Sequence, residues 1–214
     1  MIPDRPLVVL GSHILSVEIA DVAEQAGWQV VAFVENLDRT RCDGGLEGLP
    51  VLWIDELAGL AATHRAVFGL GTTHRRRFVE EAAALGIPFA TVVHPSAVVS
   101  PRSTLGAGTV VGPMCVVGAR TRIGCHVLLN RAATVGHHTE VGDFVSIQPR
   151  AAVAGACTID AGTWIGIGAT VVDRVHVGGG SVVGAGAVVT ADVSDGVQVL
   201  GVPARVVKEG IAGR

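Results

Sequence analysis

The stretch LLNRAATVGHHTEVGDFVSIQPRAAVAGACTIDAGTWIGIGATVV (128–172) carries an aliphatic residue at every sixth position: Leu129, Val135, Val141, Ile147, Val153, Ile159, Ile165 and Val171. The same spacing runs back through Ile123, Val117, Val111, Leu105 and Val99 to Val93, and forward through Val177 and Val183 to Val189. A second column, four residues later, holds only small or slender side chains, from Ala97 through Cys115, Thr139 and Ala151 to Val193. Two inward side chains per six residues predict one short strand plus a corner, and three such units close one triangular coil of a parallel β-helix. The second corner position is glycine at Gly108, Gly162, Gly168, Gly180 and Gly186, where a left-handed backbone is free of a Cβ clash. Residues eighteen apart then stack about 4.7–4.9 Å from one another.

Ahead of the repeat the periodicity differs. Short aliphatic runs at 7–11, 30–35, 51–54 and 66–71 alternate with helical patterns at 14–26, 56–62 and 74–85. The first helix has apolar residues at Ile14, Val17, Ala20 and Ala23. This β-α-β-β-α-β-α order predicts an α/β domain with a small parallel sheet over residues 1–90, followed by the β-helix over 91–214. Sheets of this kind bind ligands beyond the carboxyl ends of their strands, where Gly11, Ser12 and His13 open the first helix and Glu35 closes the second strand. A turn glycine and a solvated strand-end acid explain the same residues without a ligand, and a full GxGxxG is absent.

Composition restricts the remaining choices. The chain is 49% hydrophobic with mean hydropathy +0.52, yet glycines and polar residues break up the valines, so no stretch of about twenty residues suits a bilayer. Net charge is −3, which provides no basic field for nucleic acid. The opening MIPDRPLVVLGSH lacks a signal-peptide pattern, and Cys42, Cys115, Cys125 and Cys157 lack CxxC spacing. These features predict a cytoplasmic protein with ordinary reduced thiols and no membrane partner.

His137 and His138 occupy the two corner positions after Val135-Gly136, so both face outward. Eighteen residues on, the same corner is Gly155-Ala156, which sets a bare backbone beside His137. A base next to an accessible N–H is the pair needed to deprotonate a nucleophile and steady an oxyanion, although solvated corner histidines fit the pattern too. Asn130 lies one strand earlier, as a polar substrate contact or as a turn cap.

Taken together, VVLGSH (8–13), VVAFVEN (30–36), VVHPSAVVSP (92–101), LLNRAATVGHHTEVGDF (128–144) and GVPARVVK (201–208) resemble the bacterial nucleotide-amino-sugar acetyltransferases over essentially the whole chain. The resemblance implies a Rossmann-like nucleotide-sugar domain and a left-handed β-helix that uses acetyl-CoA. It implies a direct N-acetyl transfer to a 4-amino group, with no metal, in a homotrimer whose sites lie between subunits. By the same resemblance His137 is the base, Asn130 an active-site polar group and Gly155 the N–H donor. Gly11, Ser12, His13, Glu35, Asn36 and His74 hold the nucleotide sugar, while Gly166, Gly184, Gly201, Pro203 and Ala204 line the coenzyme path. The family's usual acid after the histidine is replaced by His138, which leaves Asp143 as an alternative polarising group, and Ser146 stands where a coenzyme-contacting histidine is usual. Sugar O-acetylation is the first alternative. A zinc hydratase using His126, His137 and His138, and a non-catalytic scaffold, are remoter ones.

Overall fold

The computed structural model describes Pro6–Arg214; residues 1–5, which belong to the 1–90 domain and to the segment tested as a signal peptide, lie outside the described residues. Two compact units emerge, one reaching Gly71 and including Arg75–Pro95, the other comprising Thr72–His74 and Ser96–Arg214. The first unit extends past residue 90 because Ala90 N donates to Ala66 O at 2.9 Å, and because His94 meets Gln25 at 2.9 Å.

In the first unit β1 (Pro6–Leu10), β2 (Gln29–Glu35), β3 (Val51–Trp53) and β4 (Arg65–Phe68) form a parallel sheet in the order β3-β2-β1-β4. Leu7, Val8, Val9 and Leu10 are completely buried, as suits a strand covered on both faces. Three helices accompany the sheet: α1 (Ile14–Gln25), the single turn α2 (Leu57–Leu60) and α3 (Arg76–Ala84). The face α1 buries is Ser16, Ile19, Ala20 and Ala23, an i, i+3, i+4, i+7 stripe. Ile14, expected on the inner face, is instead 92% exposed. The rotation follows from Ser16, whose hydroxyl donates to Gly69 O at 3.1 Å and fixes which face of the helix meets the sheet.

The second unit is a left-handed parallel β-helix of two-residue strands, each six residues from the next. One face stacks Val98–Val99, Val116–Val117, Thr134–Val135, Ala152–Val153, Thr170–Val171 and Val188–Val189 in that order. A second runs from Thr104–Leu105 to His176–Val177, and the third includes Leu128–Leu129, Ser146–Ile147, Trp164–Ile165 and Val182–Val183. Both predicted columns are buried from Thr109 to Val193, whereas Val99, Ser103 and Leu105 in the first coil are only half-buried. Each buried valine contributes roughly 1.5–3 kcal/mol relative to exposure, so the continuous column carries the stability of the solenoid.

The corners depart from the sequence expectation. Left-handed φ recurs at all fourteen second corner positions from 108 to 186, yet only five are glycine. Met114, Arg120, His126, Ala132, His138, Phe144, Arg150, Ala156 and Arg174 adopt φ between 54° and 61°. From His126 onward each such corner donates its N–H to the backbone one coil down, as His138 N does to Ala119 O at 3.0 Å, and this ladder holds a conformation that local preference disfavours. At the far end Gln198–Leu200 pairs in parallel with Val182–Val183 and antiparallel with Arg205–Lys208. The final residues then run along the solenoid, with Ile211 N donating to Gly196 O and Gly213 N to Gly180 O, until Arg214 O accepts from Thr73 N at 2.6 Å.

Candidate functional site

The histidine corner is built by three glycines. At Gly118 and Gly136 an added Cβ would lie 2.6 Å and 2.5 Å from the backbone of the coil above, so these glycines let successive coils close. Gly155 serves the ring instead: its missing Cβ would sit 2.7 Å from His137 Cε1 and 2.8 Å from Nε2. The His137 imidazole therefore lies across a bare Cα. The Gly155 carbonyl accepts from Arg174 N at 3.0 Å, while among the described residues no group accepts from its N–H. His137 and His138 are both exposed, and their Nδ1 atoms stand 3.1 Å apart with the rings edge to face at 86°. One of the two Nδ1 atoms must therefore carry a proton and the other accept it.

Asn130 is half-buried, and its Oδ1 accepts from Arg131 N at 2.8 Å. Its amide oxygen is thus the turn cap, while its Nδ2 remains available to a ligand. One coil above lies Gln148, which is buried and whose Nε2 has no partner. An unmet buried donor costs about 1–3 kcal/mol, but Gln148 Nε2 is sealed from solvent and, like Ser146, presents no surface to a ligand within this chain.

Other anticipated residues fall elsewhere. Asp143 is on a different corner of the coil, where its Oδ1 accepts from Cys125 N at 2.7 Å, so within the chain it does not polarise His137. His126 also lies on that other corner, stacked on Phe144 at 5.1 Å. Ser146 is fully buried and presents no surface to a coenzyme. Gly166 and Gly184 do not open a coenzyme path. A Cβ at Gly166 would meet the next coil at 2.7 Å, and one at Gly184 would collide with Leu200, so packing requires both glycines. The open track runs along Ile167, Gly168, Ala185 and Gly186, all exposed, where a Cβ on Gly168 or Gly186 would meet nothing within 4 Å. That track fits an extended pantetheine arm. Gly201 and Pro203 are exposed and Ala204 half-buried, in a turn with a cis Val202-Pro203 bond.

Neither Cys115 nor Cys157 is poised as a nucleophile. Burial pushes the Cys115 thiol up to about 11 and also raises Cys157, and both lie inside the column.

In the first unit, Gly11 has φ +118° and its Cβ would lie 2.6 Å from Ser16 Oγ, so the glycine seats the first turn of α1 against the strand ends. Ser12 is buried and donates to Glu35 Oε2. Glu35 is buried too, and its other oxygen accepts from Asn36 N and Leu37 N, each at 2.9 Å. Burial would raise its pKa, but the Ser12 hydroxyl and the Leu37 and Asn36 amides outweigh it and hold the carboxyl below the usual value. Glu35 is therefore neither a solvated strand end nor a free ribose acceptor; it braces the turn. Asn36 Nδ2 donates to Glu81 Oε2 at 2.6 Å. Exposed His13 opens a pocket of about 570 Å³, lined also by Ser12, Ile14, Val17, Arg41 and Glu47. Arg41 Nη1 donates to Ser12 O at 3.1 Å, which places a guanidinium beside the helix N-terminus and makes this end suit a phosphate. Arg41 carries no motif and its position became evident only from the fold. His74, exposed, groups with the second unit.

A β-helix with an outward histidine over a bare glycine, joined to a small parallel α/β unit, defines a hexapeptide-repeat acyltransferase. No protein-family model matches the sequence, and no curated protein does. Solved structures do. A variant of perosamine N-acetyltransferase from Caulobacter crescentus with CoA and GDP-perosamine is 30% identical, with a TM-score of 0.89 over 95% of this chain and 97% of that one. The acetyltransferase domain of PglB from Neisseria gonorrhoeae with acetyl coenzyme A is 33% identical, with a TM-score of 0.86 over 95% and 99%. WeeI from Acinetobacter baumannii is 25% identical, with a TM-score of 0.84 over 94% and 99%. The chain belongs to the nucleotide-amino-sugar N-acetyltransferases of the hexapeptide β-helix superfamily.

Proposed function

We propose that the chain transfers acetyl from acetyl-CoA to the 4-amino group of a nucleotide-linked deoxy-amino-sugar, with His137 as general base. The observation that carries this reading is the His137 ring lying over Gly155, which puts a base and a free N–H at one point on the solenoid surface. Acetyl-CoA supplies the activated thioester carbonyl. His137 Nε2 takes a proton from the sugar amine as the amine nitrogen bonds to that carbonyl carbon, and the Gly155 N–H donates to the developing oxyanion. As the carbon–sulfur bond breaks, His137 returns the proton to sulfur, so amine and thioester become amide and free thiol. Burial of Cys115 and Cys157 supports direct attack without an acyl-enzyme.

Asn130 supplies an amide donor for a polar part of a substrate, and the corner at Ile167–Gly168 and Ala185–Gly186, a different corner of the prism from that of His137, holds the thiol arm for the His137 of a neighbouring chain, ahead of the Gly201–Ala204 turn. The first unit takes the nucleotide sugar, its phosphates at Ser12-His13 and Arg41. Asp143 remains a group that a neighbouring chain can present.

The functional unit in this reading is a homotrimer. The face running from Val98 through Val116, Thr134, Ala152 and Thr170 to Val188 presents no charged side chain outward, with Val98 64% and Val116 43% exposed. An uncharged flat face of this length suits burial against a copy of itself. Among the described residues no helix is long and apolar enough to cross a membrane, and four free cysteines suit the reducing cytoplasm. The experiment that tests the function incubates the protein with acetyl-CoA and a panel of UDP- and GDP-linked 4-amino sugars, reading free thiol and the acetylated product by mass spectrometry. Acetylation of at least one amino sugar supports the reading; thiol release with hydroxyl sugars alone would replace it with O-acetylation.

A further inference from the structure

We propose that His138 is the positioning residue that fixes the tautomer of His137, in place of a carboxylate; the inference rests on His137 being the base. The Nδ1 atoms of the two rings are 3.1 Å apart, a hydrogen-bond distance between two groups that each donate or accept according to tautomer. For Nε2 of His137 to hold the free lone pair over Gly155, its proton must sit on Nδ1, and the His138 Nδ1 is the acceptor that meets it. His138 is held for this task. Its backbone is left-handed at φ 56°, and its N–H is tied to Ala119 O at 3.0 Å. The exposed ring stands at 86° to that of His137.

The consequence separates this device from an acid. A neutral imidazole accepts at Nδ1 only while it is unprotonated. Once His138 is an imidazolium, its own Nδ1–H points at His137 and leaves His137 Nδ1 as the acceptor. The His137 proton then moves to Nε2, and the base is lost without His137 itself becoming charged. Activity needs both rings neutral, so protonation of either ring removes the base. The charged groups around the pair are Arg120, one coil below in the His138 column, and Asp173 with Arg174, two coils above, themselves 3.5 Å apart.

The test measures kcat and kcat/KM against pH for the parent, His138→Ala, His138→Asp and His137→Ala. Alanine fits this corner, since Ala132 and Ala156 adopt φ 57° and 56° at equivalent positions, and thermal unfolding checks that the variants fold. His138→Ala is expected to lose about 10- to 100-fold in kcat. His138→Asp is expected to regain most of the rate, because a carboxylate accepts from Nδ1 and stays ionised through the imidazole range. Parent-like kcat in His138→Ala, alongside an inactive His137→Ala, would overturn the proposal while leaving the base intact. A loss in His138→Ala that aspartate does not rescue would make His138 merely structural. Normal turnover in His137→Ala would remove the base itself.

Discussion

Glu35 shows how a single residue differs from its sequence expectation. A strand-end acid ahead of asparagine looks like a ribose ligand, but Ser12, Asn36 and Leu37 already occupy its oxygens. Because these bonds hold its folded pKa below the ordinary value, the stability they give is present above the unfolded carboxylate pKa of about 4.3. That stability is lost as pH falls through the lower folded value. Glu35→Gln should therefore cost about 1–3 kcal/mol of stability at neutral pH and flatten the acid side of the stability curve, measured by urea unfolding at several pH values. A second residue-scale prediction concerns Gly155. The Cβ of Gly155→Ala would strike the His137 ring rather than backbone, so the ring moves and the fold stays. Thermal stability should change by about 1 kcal/mol or less, while kcat falls more than tenfold as the base leaves its position.

The repeated corner is the element that sets both fold and site. Nine non-glycine residues hold left-handed backbones there, a conformation costing about 1–2 kcal/mol for an L-residue. Arg150→Gly should raise stability by about 0.5–1 kcal/mol, the relieved strain less the extra freedom glycine gains in the unfolded chain, as a shift in Tm. The solenoid was legible in the sequence because the aliphatic column obeys one period from end to end. Its corner geometry was only half legible, since coil closure imposes it on whatever residue falls there, His138 and Phe144 included. The eighteen-residue stack correctly predicted that His137 lies beside Gly155. It could not show that Leu200 covers Gly184, because that follows from how the later strand at Gln198–Leu200 folds back over a face, nor that Ser146 is sealed. Helix α1 misled in a similar way: Ile14 and Val17 continue an apolar pattern, yet Ser16 docks on Gly69 and turns them outward to the pocket beside His13.

At the scale of the whole molecule, the proposed function gives the two units separate tasks: nucleotide-sugar binding at the start of α1 and acetyl transfer on a solenoid corner. The uncharged face from Val98 to Val188 is the proposed trimer contact, so sedimentation equilibrium at micromolar concentration should give three times the chain mass. Val116→Arg should shift that distribution towards monomer and lower activity with it, if each site is completed by a neighbour. A monomeric parent with full activity would remove the shared site. The central claim, acetyl transfer to a nucleotide-linked amino sugar with His137 as base, is tested most directly by thiol release from acetyl-CoA with the best acceptor, comparing the parent with His137→Ala. The account predicts sugar-dependent thiol release that falls by a factor of about 10² or more in the variant, with the fold retained. Equal rates in the two proteins would contradict it.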